Sequence, residues 1–157
     1  MNNFVRLIVS IVICQLAGII GSIFTMSSVG TWYAAINKPA FNPPDWVFGP
    51  VWIVLYTLMG VSAFLIWKED TKNKAVKNAL IIFLLQLIVN VLWSIAFFGA
   101  HSILGGLIII IILFILIALT IKSFHKVSKT AGNLLIPYLL WVGFAAALNI
   151  SIWLLNR

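Results

Sequence analysis

The chemistry open to this chain rests on a few polar and aromatic side chains set at helical intervals in apolar sequence. Gln86, Asn90 and Ser94 recur at i, i+4 and i+8, with Trp93 beside that stripe. Trp141, Ala145 and Asn149 repeat the spacing later in the chain, and Trp52 and Tyr56 stand one turn apart. On a helix each set shares a face. Uncharged hydrogen-bonding groups interleaved with indoles suit an apolar molecule carrying a few polar points, the usual make-up of a small-molecule site. The same residues also serve as glue between helices, worth roughly 0.6 kcal/mol per contact in a membrane. Other chemistries lack their groups. No Asp, Glu, Lys or Arg occurs from 46 to 67, 78 to 121 or 130 to 156, which argues against proton relays and voltage sensing. His101 and His125 are the only histidines and have no partner at metal-ligand spacing, so neither a metal centre nor a haem held by paired histidines is expected. No nucleophile–base pair, phosphate loop or zinc motif is recognisable.

The elements that position these residues follow from composition. The 157 residues are 63% hydrophobic and 8% charged, against about 45–50% and 25% in ordinary globular chains. No fold of this length hides that much apolar surface from water. A cytosolic enzyme, a nucleic-acid module and a disulfide scaffold are therefore excluded, the last also because Cys14 is the sole cysteine. The net charge of +7 comes from groups scattered between apolar runs and reads as membrane topology signals.

Charges also serve as rulers, since a spanning helix needs about 20 apolar residues. Uncharged runs of 31, 22, 44 and 27 residues separate Arg6 from Lys38, Asp45 from Lys68, Lys77 from Lys122, and Lys129 from Arg157. The 44-residue run divides at the turn chemistry of residues 99–106. The sequence thus predicts an all-α membrane protein, a single domain over 1–157. Its five transmembrane helices are expected at about 5–26, 46–67, 79–99, 103–122 and 133–154. The first apolar stretch is long and lacks a cleavage pattern, so it is taken as a span and not a signal peptide. Arg6 and the two loops after the second and fourth spans hold eight of the ten Lys and Arg. That side is expected to be cytoplasmic, with the C-terminus outside.

A long outer loop joins the first two spans. Ser27 to Asp45 is about nineteen residues, and loops of that length are often lids or binding segments. Pro39, Pro43 and Pro44 stiffen it. Asp45 is expected to cap the second span. Trp32 and Trp46 fit either an interfacial aromatic belt or a rigid aromatic cap over the bundle. Ala17, Gly18 and Gly21, with Gly143 and Ala147, allow close packing within or between subunits.

These residues fall into longer patterns. Trp32-Tyr33, Lys38-Pro39, Pro43-Pro44-x-Trp46, Phe48-Gly49-Pro50-Val51-Trp52, Leu55-Tyr56, Met59-Gly60 and Trp67-Lys68-Glu69 are similar to the signature of the TspO/MBR family. Its members are the tryptophan-rich sensory proteins and the mitochondrial translocator protein, once called the peripheral benzodiazepine receptor. Gln86-Leu87, Asn90, Trp93, Phe97-Phe98-Gly99-Ala100, Pro137-Tyr138-Leu139-x-Trp141, Phe144-Ala145, Leu148-Asn149 and Trp153 extend the resemblance over nearly the whole chain. It implies a five-helix fold, commonly a homodimer in the bilayer, that needs no cofactor and binds protoporphyrin IX and benzodiazepine-type drugs. It implies a pocket under the first loop lined by Tyr33, Pro43, Trp52, Tyr56, Asn90, Trp93, Trp141, Ala145 and Leu148. Light-dependent porphyrin breakdown in some bacterial members makes Trp52 and Trp141 the candidate reactive indoles. A bacterial plasma membrane is the implied location. The cholesterol-recognition pattern of mitochondrial members needs a Tyr and a basic residue, and Leu148 to Leu154 supplies neither. Three functions fit this reading: a tetrapyrrole receptor with photochemistry, a passive transporter of apolar ligands, and a regulatory protein acting through a partner. Nucleic acid is not an expected partner.

Overall fold

The computed structural model describes residues 1–157 and contains helices and no strands. Five of its helical segments are long and apolar enough to cross a membrane. The first is α1, Asn3–Val29. A short α2, Trp32–Ala35, follows in the connection. A 3₁₀ turn, Asp45–Val47, leads into α3, Phe48–Trp67. α4, Lys74–Ser94, continues as one π-helical stretch, Ile95–Gly99. α5 covers Ile103–His125. α6, Lys129–Leu134, and α7, Ile136–Leu155, together make the fifth crossing.

All five expected spans are present, and their ends follow capping chemistry that hydropathy does not register. Asn73 accepts a hydrogen bond from the Ala75 amide, so α4 begins at Lys74 and takes two lysines into its opening turns. Ser128 accepts from the Ala131 amide and starts the fifth crossing at Lys129. Pro137 lacks an amide proton, and the chain breaks step at Leu135 between α6 and α7. The expectation for Asp45 is corrected. Pro44 occupies the cap position and the Asp45 side chain makes no capping bond. Pro50 is accommodated because the first amides of a helix have no partner within it.

The bundle has a largely apolar core into which the polar side chains of the spans turn, away from lipid. Gln86, Asn90, Ser94, Asn149, Ser62 and Thr120 are buried, whereas Ile108, Ile112 and Leu140 are exposed. Helices approach closely where a side chain is missing. A Cβ on Gly60 would lie 2.5 Å from Ile11 Cα, and one on Gly18 would lie 2.6 Å from Tyr56 Cε2. Gly21 faces Ser94 and Gly143 faces Phe114, while Ala17 is buried. These residues pack helices of the chain against one another, whereas Ala147 is exposed. One end of the bundle, here the basic face, carries Arg6 and the connections after α3 and α5. The opposite loop face carries α2, the turn at 100–102 and the C-terminal end of α7.

Candidate functional site

The first connection forms a fastened roof on the loop face. Lys38 Nζ donates to the carbonyls of Tyr33 at 2.6 Å and Ile36 at 3.1 Å, and lies 4.9 Å from the centre of the Tyr33 ring. The Tyr33 hydroxyl donates to Asn42 Oδ1 at 2.8 Å. Burial and, behind it, the charge of Asp45 push the Tyr33 phenol up to about 12. Beyond the roof, the Asn37 amide donates to Asn156 Oδ1 at 3.0 Å, and Asn156 Nδ2 donates to the Asn37 carbonyl at 2.8 Å. The connection is thus tied to the end of α7.

A second fastening uses His101, held at φ 53° in the tight turn before α5. Its ring stacks on Trp32 with centroids 4.7 Å apart and planes 10° from parallel. Ser28 Oγ donates to the Phe98 carbonyl at 2.6 Å, so the contact at 3.0 Å to His101 Nε2 needs the imidazole to donate. His101 is a structural residue of the roof. His125 contacts Asn133 Oδ1 at 3.0 Å on the basic face. No group of three metal-ligating side chains is present.

Beneath the roof, α1, α3, α4 and α7 enclose a cavity of about 620 Å³. Tyr33, Trp52, Tyr56, Asn90, Trp93, Ala145 and Leu148 all line it, as do Asn149, Ser94, Phe97 and Phe98. Trp52 and Tyr56 stack at 5.4 Å, and Trp93 and Phe97 stack at 5.8 Å, giving two aromatic walls. The π-helical stretch carries Phe97 and Phe98 to this lining; such a bulge shifts side chains out of the α-helical register and is common at functional sites. Asp45 is the only charged residue in the lining.

The floor is a hydrogen-bonded chain across three helices. The Tyr56 hydroxyl donates to Asn90 Oδ1 at 2.7 Å, and Asn90 Nδ2 donates to the Tyr138 oxygen at 2.7 Å. The Tyr138 hydroxyl donates in turn to Gln86 Oε1 at 2.8 Å. Trp93 Nε1 points at Asn149 Oδ1 from 3.4 Å, a weak bond, and Asn149 Nδ2 donates to the Ala145 carbonyl at 2.8 Å. Asn90 and Asn149 are therefore both glue and lining, while Gln86 is glue alone.

Two residues expected in the lining stand outside it. Trp141 packs against Phe48 at 6.0 Å and Phe144 at 5.5 Å. It lies one ring behind the cavity wall, because Phe48 lines the cavity and Trp141 does not. Pro43 belongs to the roof, where its carbonyl accepts from Asn42 Nδ2 at 3.2 Å. Residue spacing alone did not single out Gln15 or Tyr138. Gln15 is an isolated amide in the first apolar run, and that isolation was the available signal. Tyr138 lies seven residues before Ala145 and eleven before Asn149, on the same helix face, and that register was the available signal.

Comparison with known proteins matches residues 10–154 to the TspO/MBR family. The tryptophan-rich protein TspO of Archaeoglobus fulgidus is 46% identical over 98% of this chain and 99% of its own length. Human translocator protein is 38% identical over 85% of this chain and 80% of its own. The tryptophan-rich sensory protein of Cereibacter sphaeroides is 34% identical over 80% and 77%. Matched to the family model over residues 10–154 and to these three relatives over 80–98% of its length, this five-span chain belongs to the TspO/MBR family.

Proposed function

We propose that this protein is an integral membrane receptor for tetrapyrroles, protoporphyrin IX first among them, and for flat aromatic drugs of benzodiazepine type. The observation that carries the reading is the pair of aromatic stacks, Trp52 with Tyr56 and Trp93 with Phe97, lining one 620 Å³ cavity. That volume lies inside the range of about 300–1,000 Å³ usual for small-molecule sites. Flat macrocycles gain from stacking on indole and phenol faces. The floor offers hydrogen-bonding groups without charge, so the macrocycle is held by its apolar body. Its carboxylates belong at the loop face, where Lys38 is the one cation of the connection, and away from Asp45, the anion of the lining. The protein sits in a bacterial plasma membrane with its basic face in the cytoplasm and functions as a homodimer. Light-dependent breakdown of the bound porphyrin is the second part of the proposal, with Trp52, a residue of the lining, as the reacting indole. The relatives' names, translocator and sensory protein, are compatible with a receptor of this kind.

Titration of the purified protein with protoporphyrin IX in the dark tests the first part. Saturable quenching of tryptophan emission, with a shifted porphyrin absorption band, is the expected result. A response no larger than that of protein-free detergent micelles refutes it. Illumination of the saturated sample then tests the second part by the loss of porphyrin absorbance.

A further inference from the structure

The cavity opens along its side as well as toward the loop face, where Asp45 and the 76% exposed Trp46 belong to its lining. Its roof is held by the Lys38 contacts, the Tyr33–Asn42 bond and the reciprocal Asn37–Asn156 pair. Its flank is different. Large apolar residues of its lining face outward along the spans: Ile19 is 56% exposed, Met26 78% and Ile53 60%. They belong to α1 and α3, which are in contact nearer the basic face through Gly60 and Ile11. Between the contact and the loop face the two helices part. Gln15 marks the fork, its Nε2 donating to the Ile53 carbonyl at 3.0 Å and to Thr57 Oγ1 at 2.9 Å. Further toward the loop face Gly49 also belongs to the lining, and a Cβ there would meet nothing within 4 Å.

We infer that the cavity is loaded from the bilayer, through a slot between α1 and α3 in the leaflet nearer the loop face, by aromatic molecules dissolved in the membrane. The inference rests on the reading of the cavity as an apolar-ligand site, and not on which ligand fills it. Three physical points carry it. Hydrocarbon is the medium against the slot, because Ile19, Met26 and Ile53 sit within spanning helices and would be costly to expose to water. At the level of Ile19 and Ile53 the slot presents no unpaired backbone group to lipid, since both residues lie inside continuous helix. Ser22 Oγ and Thr25 Oγ1 donate to carbonyls of their own helix, at 2.7 Å and 3.2 Å, so neither hydroxyl proton is left unpaired in the passage. At the fork Gln15 Oε1 accepts no hydrogen bond from the protein. It offers one acceptor at the threshold, suited to an N–H or O–H on the edge of an otherwise apolar ligand. The roof, by contrast, must break several hydrogen bonds to open.

The test compares two obstructions in liposomes holding the full chain, with protoporphyrin IX dissolved in the membrane and followed by stopped-flow quenching of tryptophan emission. One variant combines Ser22→Trp and Ile53→Trp, placing bulk on both exposed walls of the slot. The other carries Asn37→Cys and Asn156→Cys in a Cys14→Ala background, joined by a short bismaleimide that locks the roof. Slot filling is expected to slow association at least tenfold, and roof locking to leave it within twofold of the unlinked protein. The reverse pattern overturns the inference, as does equal slowing by both. If unmodified protein takes up no porphyrin, the porphyrin reading fails while the route is still decided. Ser94→Cys in the Cys14→Ala background places a thiol in the cavity for labelling by a pyrenyl maleimide dissolved in the bilayer. Labelling slowed tenfold by the two slot tryptophans supports lateral loading, and labelling indifferent to them refutes it. Unchanged circular dichroism of the slot variant separates blockage from misfolding.

Discussion

The Tyr56 hydroxyl crosses from α3 to α4 and donates to Asn90 Oδ1 at 2.7 Å, so one bond fixes both a cavity wall and a helix pair. The Tyr56 ring is stacked on Trp52 and pressed from the other side by the bare backbone of Gly18. Orientation of the aromatic wall is thus set by polar chemistry at its lower edge. Buried polar groups in a membrane have few alternative partners, which makes this chain of amides and phenols a determinant of one arrangement.

Replacement of Asn90 by Leu removes the acceptor for Tyr56 and the donor to Tyr138 together. Interhelical hydrogen bonds in membranes average about 0.6 kcal/mol and reach about 1.7. Two lost bonds and an orphaned phenol therefore predict a destabilisation of about 1–3 kcal/mol. Tyr56→Phe loses one bond and keeps the ring, so it should cost about half as much. Unfolding in mixed micelles with rising sodium dodecyl sulfate measures both. Equal stability of Asn90→Leu and the parent would show that the chain of bonds holds nothing together.

Gly60 provides a sharper packing test. Its missing Cβ would fall 2.5 Å from Ile11 Cα, a backbone atom that no side-chain rotation can move away. Gly60→Ala must push α1 from α3, with an overpacking cost of about 1–3 kcal/mol. Gly49→Ala is the control, because a Cβ there meets nothing within 4 Å. In a helix that exchange gains about 0.5–1 kcal/mol. Thermal unfolding of the two variants in one detergent should move in opposite directions.

The contrast between Trp52 and Trp141 shows which parts of the site could be read in the sequence. The spans were legible because the few charges fall between apolar runs, and burial in lipid forces those runs into helices. Tyr56 and Asn90 were legible because polar side chains at membrane depth turn inward. Ala145 and Asn149 share a helix face with Trp141, and spacing placed all three on the cavity. Spacing fixes the face and not the rotamer, and the Trp141 indole turns onto Phe48 and Phe144. The lateral slot was not legible either. An exposed Ile19 or Ile53 looks like any lipid-facing residue until the fork at Gln15 is seen.

That difference predicts unequal mutants. Trp52→Phe shortens a wall of the cavity and should weaken protoporphyrin binding and slow its light-dependent loss together. Trp141→Phe leaves the lining intact and should change affinity less than twofold, while lowering stability through lost contact with two phenylalanine rings. Dark titration, illumination and thermal unfolding of the two single variants distinguish these outcomes. Equal loss of binding in both would mean that Trp141 reaches the ligand directly.

The roof can be followed through Tyr33, one of three tyrosines and the one outside the spanning segments. Burial and, behind it, the Asp45 charge raise its phenol from the usual 10 to about 12, with the hydrogen bond to Asn42 working against them. A phenol whose folded value lies above its unfolded one contributes stability that is fully present below pH 10. That contribution is lost as pH rises from 10 through 12, because the unfolded chain releases its proton first. The ionisation band near 295 nm, taken as the difference between wild type and Tyr33→Phe, should therefore have its midpoint near 12. Asp45→Asn removes the smaller of the two raising causes and should bring the midpoint part of the way down, leaving the share due to burial. A midpoint at 10 in the wild type would mean that Tyr33 is open to water and that the roof is not seated on the bundle.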